Sequence, residues 1–302
     1  MESKLKVRFV ERRAPCSLIN GGQRDAPTVP LETRLIDAVR RHELKVHFQP
    51  QYEVDSGRGC GVEALARWTL PDGEDISPTI FIPMAERIAM IWPLGAWVLH
   101  HACETVARWG SVDGHAPMLS VNVSTRQINR RFAGVIDRIL KRTGLPAAQL
   151  ELEITESALI EDAELAIACC EEWRALGVQI AVDDFGIGYS SLSYLARLPV
   201  NRLKLDKSFA QRVTFEKKTA AIVSSVLALG RELGMSVVAE GVETEQQFAL
   251  LERLGCRQVQ GYLLAKPSPA AEARALLLSP WGARMSTMSR PNHRTTRGLH
   301  AV

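Results

Sequence analysis

The chain has 302 residues, of which 46% are hydrophobic and 24% are charged, and its formal net charge is +3 at pH 7. This composition is ordinary for a globular protein, and the length suits one large α/β domain or two small ones. So small a charge excludes the strong basic field of a protein that binds a nucleic-acid polymer. The sequence has no apolar run of membrane-spanning length, no signal-peptide core and no CxxC pair. We therefore expect free thiols and a cytoplasmic location.

The two ends of the chain differ in composition from the region between them. Residues 1–30 are rich in Arg, Gly and Pro without clean periodicity, and we interpret them as a flexible leader. Residues 273–302 are interpreted as a basic, disordered tail, because four arginines and no acidic residue follow Pro280. Residues 31–272 are then predicted to form one domain.

Short apolar, β-branched runs recur through this domain and indicate strands. In chain order they lie at Val46–Phe48, Gly61–Trp68, Met118–Val123, Leu150–Thr155, Val178–Val182, Arg202–Leu205, Ser236–Ala239 and Arg257–Gln260. Segments with helical periodicity lie between most of them, at Pro93–Trp109, Ile128–Thr143, Ala163–Leu176, Thr219–Leu233 and Glu245–Leu254. Gly144, Gly177, Gly234 and Gly255 lie where these helices should end, as helix C-terminal caps do.

The alternation of these elements predicts the fold class. Strands that are apolar on both faces are typical of a parallel sheet covered by helices. Such strands, separated by helices, predict a TIM-like (β/α)8 barrel with mostly parallel strands. A doubly wound open sheet is the alternative, but no glycine-rich phosphate loop follows the first strand.

Polar residues interrupt or end these apolar strands. They are Glu63, Asn122, Glu153, Asp183, Asp184, Lys204, Glu240 and Gln260. Burying so many carboxylates on one sheet is very costly unless a cation gathers them. Because the strand C-termini of a parallel barrel meet on one face, these side chains should point into a single cup.

The side chains in this cup predict its metal. Carboxylate and amide oxygens without His or Cys suit Mg²⁺ or Mn²⁺ better than zinc. The adjacent Asp183 and Asp184 would let one carboxylate bridge two ions while the other holds one. Two ions about 3.5–4 Å apart can activate a water for displacement at phosphorus. The alternative interpretation is a scatter of salt bridges around the barrel.

A series of motifs then resembles one known family. The motifs are Glu63-Ala64-Leu65-Ala66-Arg67-Trp68, Ser120-Val121-Asn122-Val123-Ser124, Glu153-Ile154-Thr155-Glu156-Ser157, Asp183-Asp184-Phe185-Gly186-Ile187-Gly188-Tyr189-Ser190-Ser191, Leu203-Lys204-Leu205-Asp206, Glu240-Gly241-Val242-Glu243 and Gln260-Gly261-Tyr262. In order and spacing they resemble the EAL family of cyclic di-GMP phosphodiesterases, from about Leu31 to Pro269. The resemblance implies a homodimeric enzyme that hydrolyses cyclic di-GMP to linear pGpG with two Mg²⁺ or Mn²⁺ ions.

The resemblance also implies metal-binding and catalytic residues. The first ion would be held by Glu63, Asn122, Glu153 and Asp183, and the second by Asp183, Asp184 and Glu240. Lys204 and Gln260 would position the attacking water, and Lys204 would also counter negative charge on the phosphate. Together with Glu63 and Glu240, these two residues form the predicted catalytic set.

Further residues are implied to bind substrate or to couple the site to a dimer. Arg67 would hold a phosphate oxygen, Glu243 would orient the substrate, Gln49 would lie at the pocket rim, and Asp206 would join this substrate set. Glu156 would anchor the loop from Asp184 to Ser191, in which Phe185, Gly186 and Gly188 would link metal binding to the dimer interface.

Two other functions stay open. One is a receptor that binds cyclic di-GMP without hydrolysing it, although such members are expected to have lost metal ligands or the loop motif. The other is a metal-dependent barrel enzyme of enolase-like type, which would not require the Asp-Asp-Phe-Gly-x-Gly loop. The sequence also departs from the family, since Arg87 and Ala89 stand where an acidic residue and a glycine are usual.

Overall fold

The computed structural model describes residues 29–111, 114–188 and 195–281. Its strands are β1 (Lys45–Glu53), β2 (Gly59–Thr69), β3 (Asp75–Ile76), β4 (Met118–Asn122), β5 (Leu150–Thr155), β6 (Gln179–Phe185), β7 (Arg202–Leu205), β8 (Ser236–Ala239) and β9 (Gln258–Val259). All the strands predicted from the sequence are present, and β3 is an addition to them.

The helices of the described residues surround these strands. They are α1 (Leu31–Arg41), α2 (Pro78–Arg87), α3 (Ile91–Trp109), α4 (Arg131–Thr143), α5 (Glu156–Glu161), α6 (Ala163–Ala175), α7 (Lys207–Arg212), α8 (Lys217–Glu232), α9 (Glu245–Arg253) and α10 (Ala270–Leu278). Short 3₁₀ helices span Thr125–Gln127 and Ala147–Gln149. None of the helices in these ranges is long and apolar enough to cross a membrane.

The sheet closes into a barrel. The strands follow the order β1-β9-β8-β7-β6-β5-β4-β2, and β1 also pairs with β2, while the short β3 pairs with β2 alone. Every neighbouring pair from β2 through β4 to β9 is parallel. The predicted TIM-like barrel is therefore confirmed, and the closure excludes an open doubly wound sheet.

Strand β1 is the exception to the parallel arrangement. It runs antiparallel to β2 on one side and to β9 on the other. Residues 54–58 alone separate β1 from β2, and a parallel crossover needs about a dozen residues or more. The connection is therefore a reverse turn without a helix, and the strand direction follows from its length.

The helix ends follow the glycine signals. Gly144, Gly177, Gly234 and Gly255 have φ values of 73°, 92°, 70° and 87°, in the left-handed region that a Cβ disfavours.

Helix side chains complete the core outside the strands. The ring centroids of Phe132 on α4 and Trp173 on α6 lie 5.6 Å apart, with an angle of 69° between the ring planes.

Helix α10 extends the folded domain beyond the predicted boundary at residue 272. Its Ala273 and Leu277 are 0% and 2% exposed, and the helix packs against β1 and β2. The boundary therefore falls inside a helix, because its buried positions contain only two small or branched apolar residues and give a weak signal in the sequence. Residues 1–28 of the predicted leader and 282–302 of the predicted tail lie outside the described residues.

Candidate active site

The buried side chain of Lys204 lies at the centre of the predicted cup. Lys204 is 0% exposed, and its Nζ lies 2.7 Å from Glu240 Oε1 and 2.8 Å from Glu153 Oε2. Asp183 Oδ1 and Glu63 Oε2 follow at 3.2 and 3.6 Å from the same nitrogen. The barrel thus brings together the predicted carboxylates of β2, β5 and β6 and the one that follows β8, around one ammonium.

Glu63 is held on both sides by amide groups. Asn122 Nδ2 donates to Glu63 Oε1 at 2.8 Å, and Gln260 Nε2 donates to Glu63 Oε2 at 2.7 Å. Gln260 Nε2 also donates to Gln49 Oε1 at 3.1 Å, and Gln49 Nε2 donates to the carbonyl of Ala265 at 3.1 Å. Gln49 is 7% exposed, so it lies inside the cup beside Gln260 and not at its rim.

The charges of these groups are strongly perturbed by their burial. Burial raises the pKa of Glu153 well above its ordinary value and that of Glu240 to about 8. For Glu63 burial acts in the same direction, but Lys204 and the two amides outweigh it and lower the pKa. Burial also opposes the charge of Lys204, yet the surrounding carboxylates hold its pKa well above the usual value. Four carboxyl groups therefore compete for one ammonium, and the raised pKa values of Glu153 and Glu240 are the result of that imbalance.

Asp184 differs in conformation from the other acidic residues. Its φ is 55°, in the left-handed region that residues with a Cβ seldom adopt. Burial, together with the negative charges of Asp183 and Asp206, raises the pKa of its half-buried carboxyl. Backbone strain of this kind persists only where surrounding structure enforces it, and it is concentrated at functional sites.

The donor atoms present fit hard divalent cations. Glu153 Oε1 and Gln260 Oε1 are buried oxygens that accept no hydrogen bond from any described residue. Asp183 Oδ1 and Glu240 Oε1 contact the Lys204 ammonium without another donor. Within the described ranges no three His, Cys, Asp or Glu side chains already surround one point as metal ligands do, because these carboxylates close on Lys204. Oxygen atoms with unused lone pairs and excess negative charge suit Mg²⁺ or Mn²⁺.

Arg67 lies at an open cavity next to this cluster. The cavity has a volume of about 540 Å³ and is lined by Arg67, Asn122 and Asp184, with apolar and polar groups of α2 and α3. Among the described residues, the half-buried Arg67 hydrogen-bonds a backbone carbonyl alone, with Nη1 donating to Ala66 O at 2.8 Å. Its remaining guanidinium N–H groups suit a phosphate oxygen.

Asp206 and Glu243, two of the predicted substrate-binding residues, differ in what their side chains contact. Asp206 is the N-terminal cap of α7, and its carboxylate accepts a hydrogen bond from Ser208 N at 2.9 Å. Glu243 is exposed, and its backbone N–H donates to Gln247 Oε1 at 2.7 Å. The structure thus gives Asp206 a capping role and leaves the Glu243 carboxylate open to solvent.

The predicted anchor of the β6 loop makes a specific contact. Glu156 is 3% exposed, and its Oε2 accepts a hydrogen bond from Gly186 N at 2.8 Å. A Cβ at Gly188 would lie 2.5 Å from Glu156 Oε1, so a larger residue there would displace the Glu156 carboxylate. Phe185 is buried at the end of β6, whereas residues 189–194 of the loop lie outside the described residues.

Sequence reasoning missed a second polar layer inside the barrel. Arg202 Nη1 lies 3.0 Å from Glu151 Oε1, which also accepts a hydrogen bond from Ser120 Oγ at 2.8 Å. Arg202 Nε donates to Ser236 Oγ at 3.0 Å. Ser120, Glu151 and Arg202 stand two residues before Asn122, Glu153 and Lys204, which is the spacing of side chains on one face of a strand.

Comparison with known proteins agrees with the resemblance found in the sequence motifs. A family model described as EAL domain matches residues 32–267. The chain is 43% identical over 245 residues to the bifunctional diguanylate cyclase/cyclic di-GMP phosphodiesterase MucR of Pseudomonas aeruginosa, covering 80% of this chain and 35% of MucR. It is 40% identical over 240 residues to the cyclic di-GMP phosphodiesterase PA2567 of the same organism, covering 78% of this chain and 40% of that protein.

The solved structures agree with these relatives. The PaMucR phosphodiesterase in its c-di-GMP complex matches with a TM-score of 0.74 at 41% identity, covering 79% of this chain and 99% of that chain. By contrast, the chain spans only 35% and 40% of the lengths of MucR and PA2567. The likeness therefore concerns one domain of these longer proteins.

Proposed function

This chain belongs to the EAL domain family, and from that premise we propose that it is a metal-dependent phosphodiesterase that hydrolyses cyclic di-GMP to linear pGpG. The observation that carries the proposal is the ring of four carboxylates around the buried ammonium of Lys204. It lies beside a cavity in which Arg67 is available for a phosphate. A cytoplasmic location and a homodimeric state belong to the same proposal.

The residues that would hold two Mg²⁺ or Mn²⁺ ions supply carboxylate and amide oxygens, and buried oxygens of Glu153, Asp183 and Glu240 accept no hydrogen bond from the described residues. Glu63, Asn122, Glu153 and Asp183 form one set, and Asp183, Asp184 and Glu240 form the other. When bound, the ions supply Lewis acidity and a water of lowered pKa.

The remaining groups act on the substrate and the water. Arg67 binds a phosphate oxygen, and the diester lies in the cavity between β2, β4 and α2. Gln260 and Lys204 orient the water that attacks phosphorus, and the charge of Lys204 offsets the negative charge that grows in the transition state. Because pGpG ends in a 5′ phosphate, the bond that breaks joins phosphorus to the ribose 3′ oxygen, which leaves as a hydroxyl. Glu243, exposed near this site, completes the contacts that orient the substrate.

The first experiment is incubation with cyclic di-GMP in Mg²⁺, Mn²⁺, Ca²⁺ or chelator, with pGpG measured by chromatography. We expect turnover in Mg²⁺ or Mn²⁺, little turnover in Ca²⁺ because its looser geometry misplaces the water, and none in chelator. Equal turnover in chelator and in Mg²⁺ would contradict a metal-dependent mechanism.

The same assay separates the other functions. A receptor would bind cyclic di-GMP by calorimetry and release no pGpG in any metal. An enolase-like enzyme would neither bind nor cleave it. The preserved Glu63, Asn122, Glu153, Asp183, Asp184 and Glu240 favour hydrolysis over binding alone.

A further inference from the structure

Glu86 faces the substrate cavity, although it has no cationic partner in the part of the chain that the structure describes. It lies in the last turn of α2 and lines the cavity that also contains Arg67, Asn122 and Asp184. No described residue forms an ion pair with its carboxylate. A carboxylate in this position repels an anionic diester, so its presence in the cavity wall needs another physical reason.

That reason is Ser124, the residue that the Glu86 carboxylate hydrogen-bonds within the described part of the chain. Ser124 Oγ donates to Glu86 Oε1 at 2.6 Å, the short distance expected when a hydroxyl donates to a carboxylate. Ser124 is also the N-cap of the 3₁₀ helix Thr125–Gln127, since its Oγ accepts from Arg126 N and its N–H donates to Gln127 Oε1. The Glu86 carboxylate therefore fixes the residue at which the chain turns away from β4.

This turn lies directly beside a predicted metal ligand. Asn122 is the last residue of β4, two residues before Ser124, and its Nδ2 donates to Glu63 Oε1 at 2.8 Å. On the far side of the turn, Gln127 is 2% exposed and its side chain packs against Gly95 of α3. The segment after Asn122 is thus fixed to α3 through Gln127 and to α2 through Glu86.

We propose that Glu86 is a positioning residue, which holds Asn122 and through it Glu63 in the orientation that binds metal. The inference rests on the proposed metal-dependent function. Outer-shell partners of metal ligands are typically worth about 10–100-fold in metal affinity. Because Glu86 acts through Ser124 and a short stretch of backbone, we expect the lower end of this range.

The test is Mn²⁺ binding by calorimetry without substrate, on Glu86→Ala, Glu86→Gln and Arg87→Ala. Glu86→Ala should weaken Mn²⁺ binding about tenfold, whereas Glu86→Gln, which still accepts the hydrogen bond from Ser124, should stay within about threefold of the parent. Arg87→Ala is the matched control, because Arg87 is the next residue of α2 and makes only an exposed ion pair with Glu32. Excess Mn²⁺ should restore the hydrolysis rate of Glu86→Ala.

A double-mutant cycle keeps the inference testable if one variant folds poorly. Ser124→Ala should weaken Mn²⁺ binding by at least as much as Glu86→Ala, and adding Glu86→Ala to it should cause little further loss. Parent affinity in Glu86→Ala, or equal losses in Glu86→Ala and Glu86→Gln, would overturn the positioning role. If the parent itself binds no Mn²⁺, the proposed function fails as well. If the parent binds Mn²⁺ and Glu86→Ala binds it equally tightly, this inference fails while the proposed function stands.

Discussion

The barrel interior contains two polar layers, one with more carboxylates than cations and one in which the two are matched. In one, Lys204 is surrounded by Glu63, Glu153, Asp183 and Glu240, and several oxygens lack a hydrogen-bond donor. In the other, the single Glu151 carboxylate is matched by Arg202 and by the hydroxyl of Ser120. Both layers are buried in the same barrel, and on β5 and β7 their members are only two residues apart.

The contrast between the two layers indicates how a functional cluster of buried charges can be recognised. A balanced pair with its hydrogen bonds satisfied is stable by itself, and removing one partner is what costs free energy. A group of buried carboxylates that outnumbers the nearby cationic side chains destabilises the fold by itself. It is retained when a cation from solution binds to it. Burial is common to both layers, so charge balance and unsatisfied oxygens separate them.

The largest effect is expected from a substitution in the balanced layer of Arg202 and Glu151. Arg202→Ala leaves Glu151, which is 1% exposed, without its counter-ion, and we expect the free energy of unfolding to fall by about 3–5 kcal/mol. Glu153→Gln is the matched change in the other layer, and it should alter this free energy by no more than about 1 kcal/mol without metal, because it removes surplus charge. Urea denaturation in chelator measures both. Equal losses would show that the two layers are energetically alike.

The next effect concerns the central cation of the metal-binding layer. Lys204→Ala should still bind cyclic di-GMP and two metal ions but lower kcat at least roughly a hundredfold, because its charge acts mainly in the transition state. Lys141→Ala, an exposed lysine paired with Asp137 on α4, is the control and should keep the parent rate. Calorimetry beside steady-state kinetics decides the matter. Lost metal binding with kcat preserved at saturating metal would make Lys204 a structural counter-ion.

The smallest effects are expected from substitutions of two residues of β4, Ser120 and Asn122. Ser120→Ala removes the hydroxyl that donates to Glu151 and should lower the free energy of unfolding by about 1–2 kcal/mol without changing Mn²⁺ affinity. Asn122→Ala should weaken Mn²⁺ binding and leave unfolding in chelator nearly unchanged, since Asn122 is exposed. Denaturation and calorimetry on both variants give the comparison. A fall in Mn²⁺ affinity for Ser120→Ala would link the layers.

Much of the fold and site is predictable from the sequence, because polar residues in apolar strands are conspicuous. The same criterion does not separate Glu151 from Glu153, which both interrupt β5, because their charge balance depends on Arg202 and Lys204, each 51 residues further along the chain. The direction of β1 is not encoded in periodicity, although the short connection to β2 indicates it.

Three residues show what the sequence did and did not reveal: Glu86, Asp206 and Ala89. Glu86 on α2 reads like any polar residue on a helix surface, and only the fold reveals its bond to Ser124. Asp206 precedes Lys207-Ser208 at the start of a helix, and that N-cap signal was available in the sequence. Ala89 has a φ of 59°, so the glycine that is usual in the family would relieve strain at this position.

The antiparallel β1 also has a consequence for the order of folding. It joins β2 along most of its length as a local hairpin, but it meets β9 through only Tyr52↔Val259 and Glu53↔Gln258. Bringing such distant segments together costs chain entropy that local pairs avoid. The bond from Gln260 to Glu63 spans this seam and 197 residues of chain. Glu63 therefore acquires both of its amide partners only when the last strand closes the barrel, so a nascent or nicked chain holds an incomplete site.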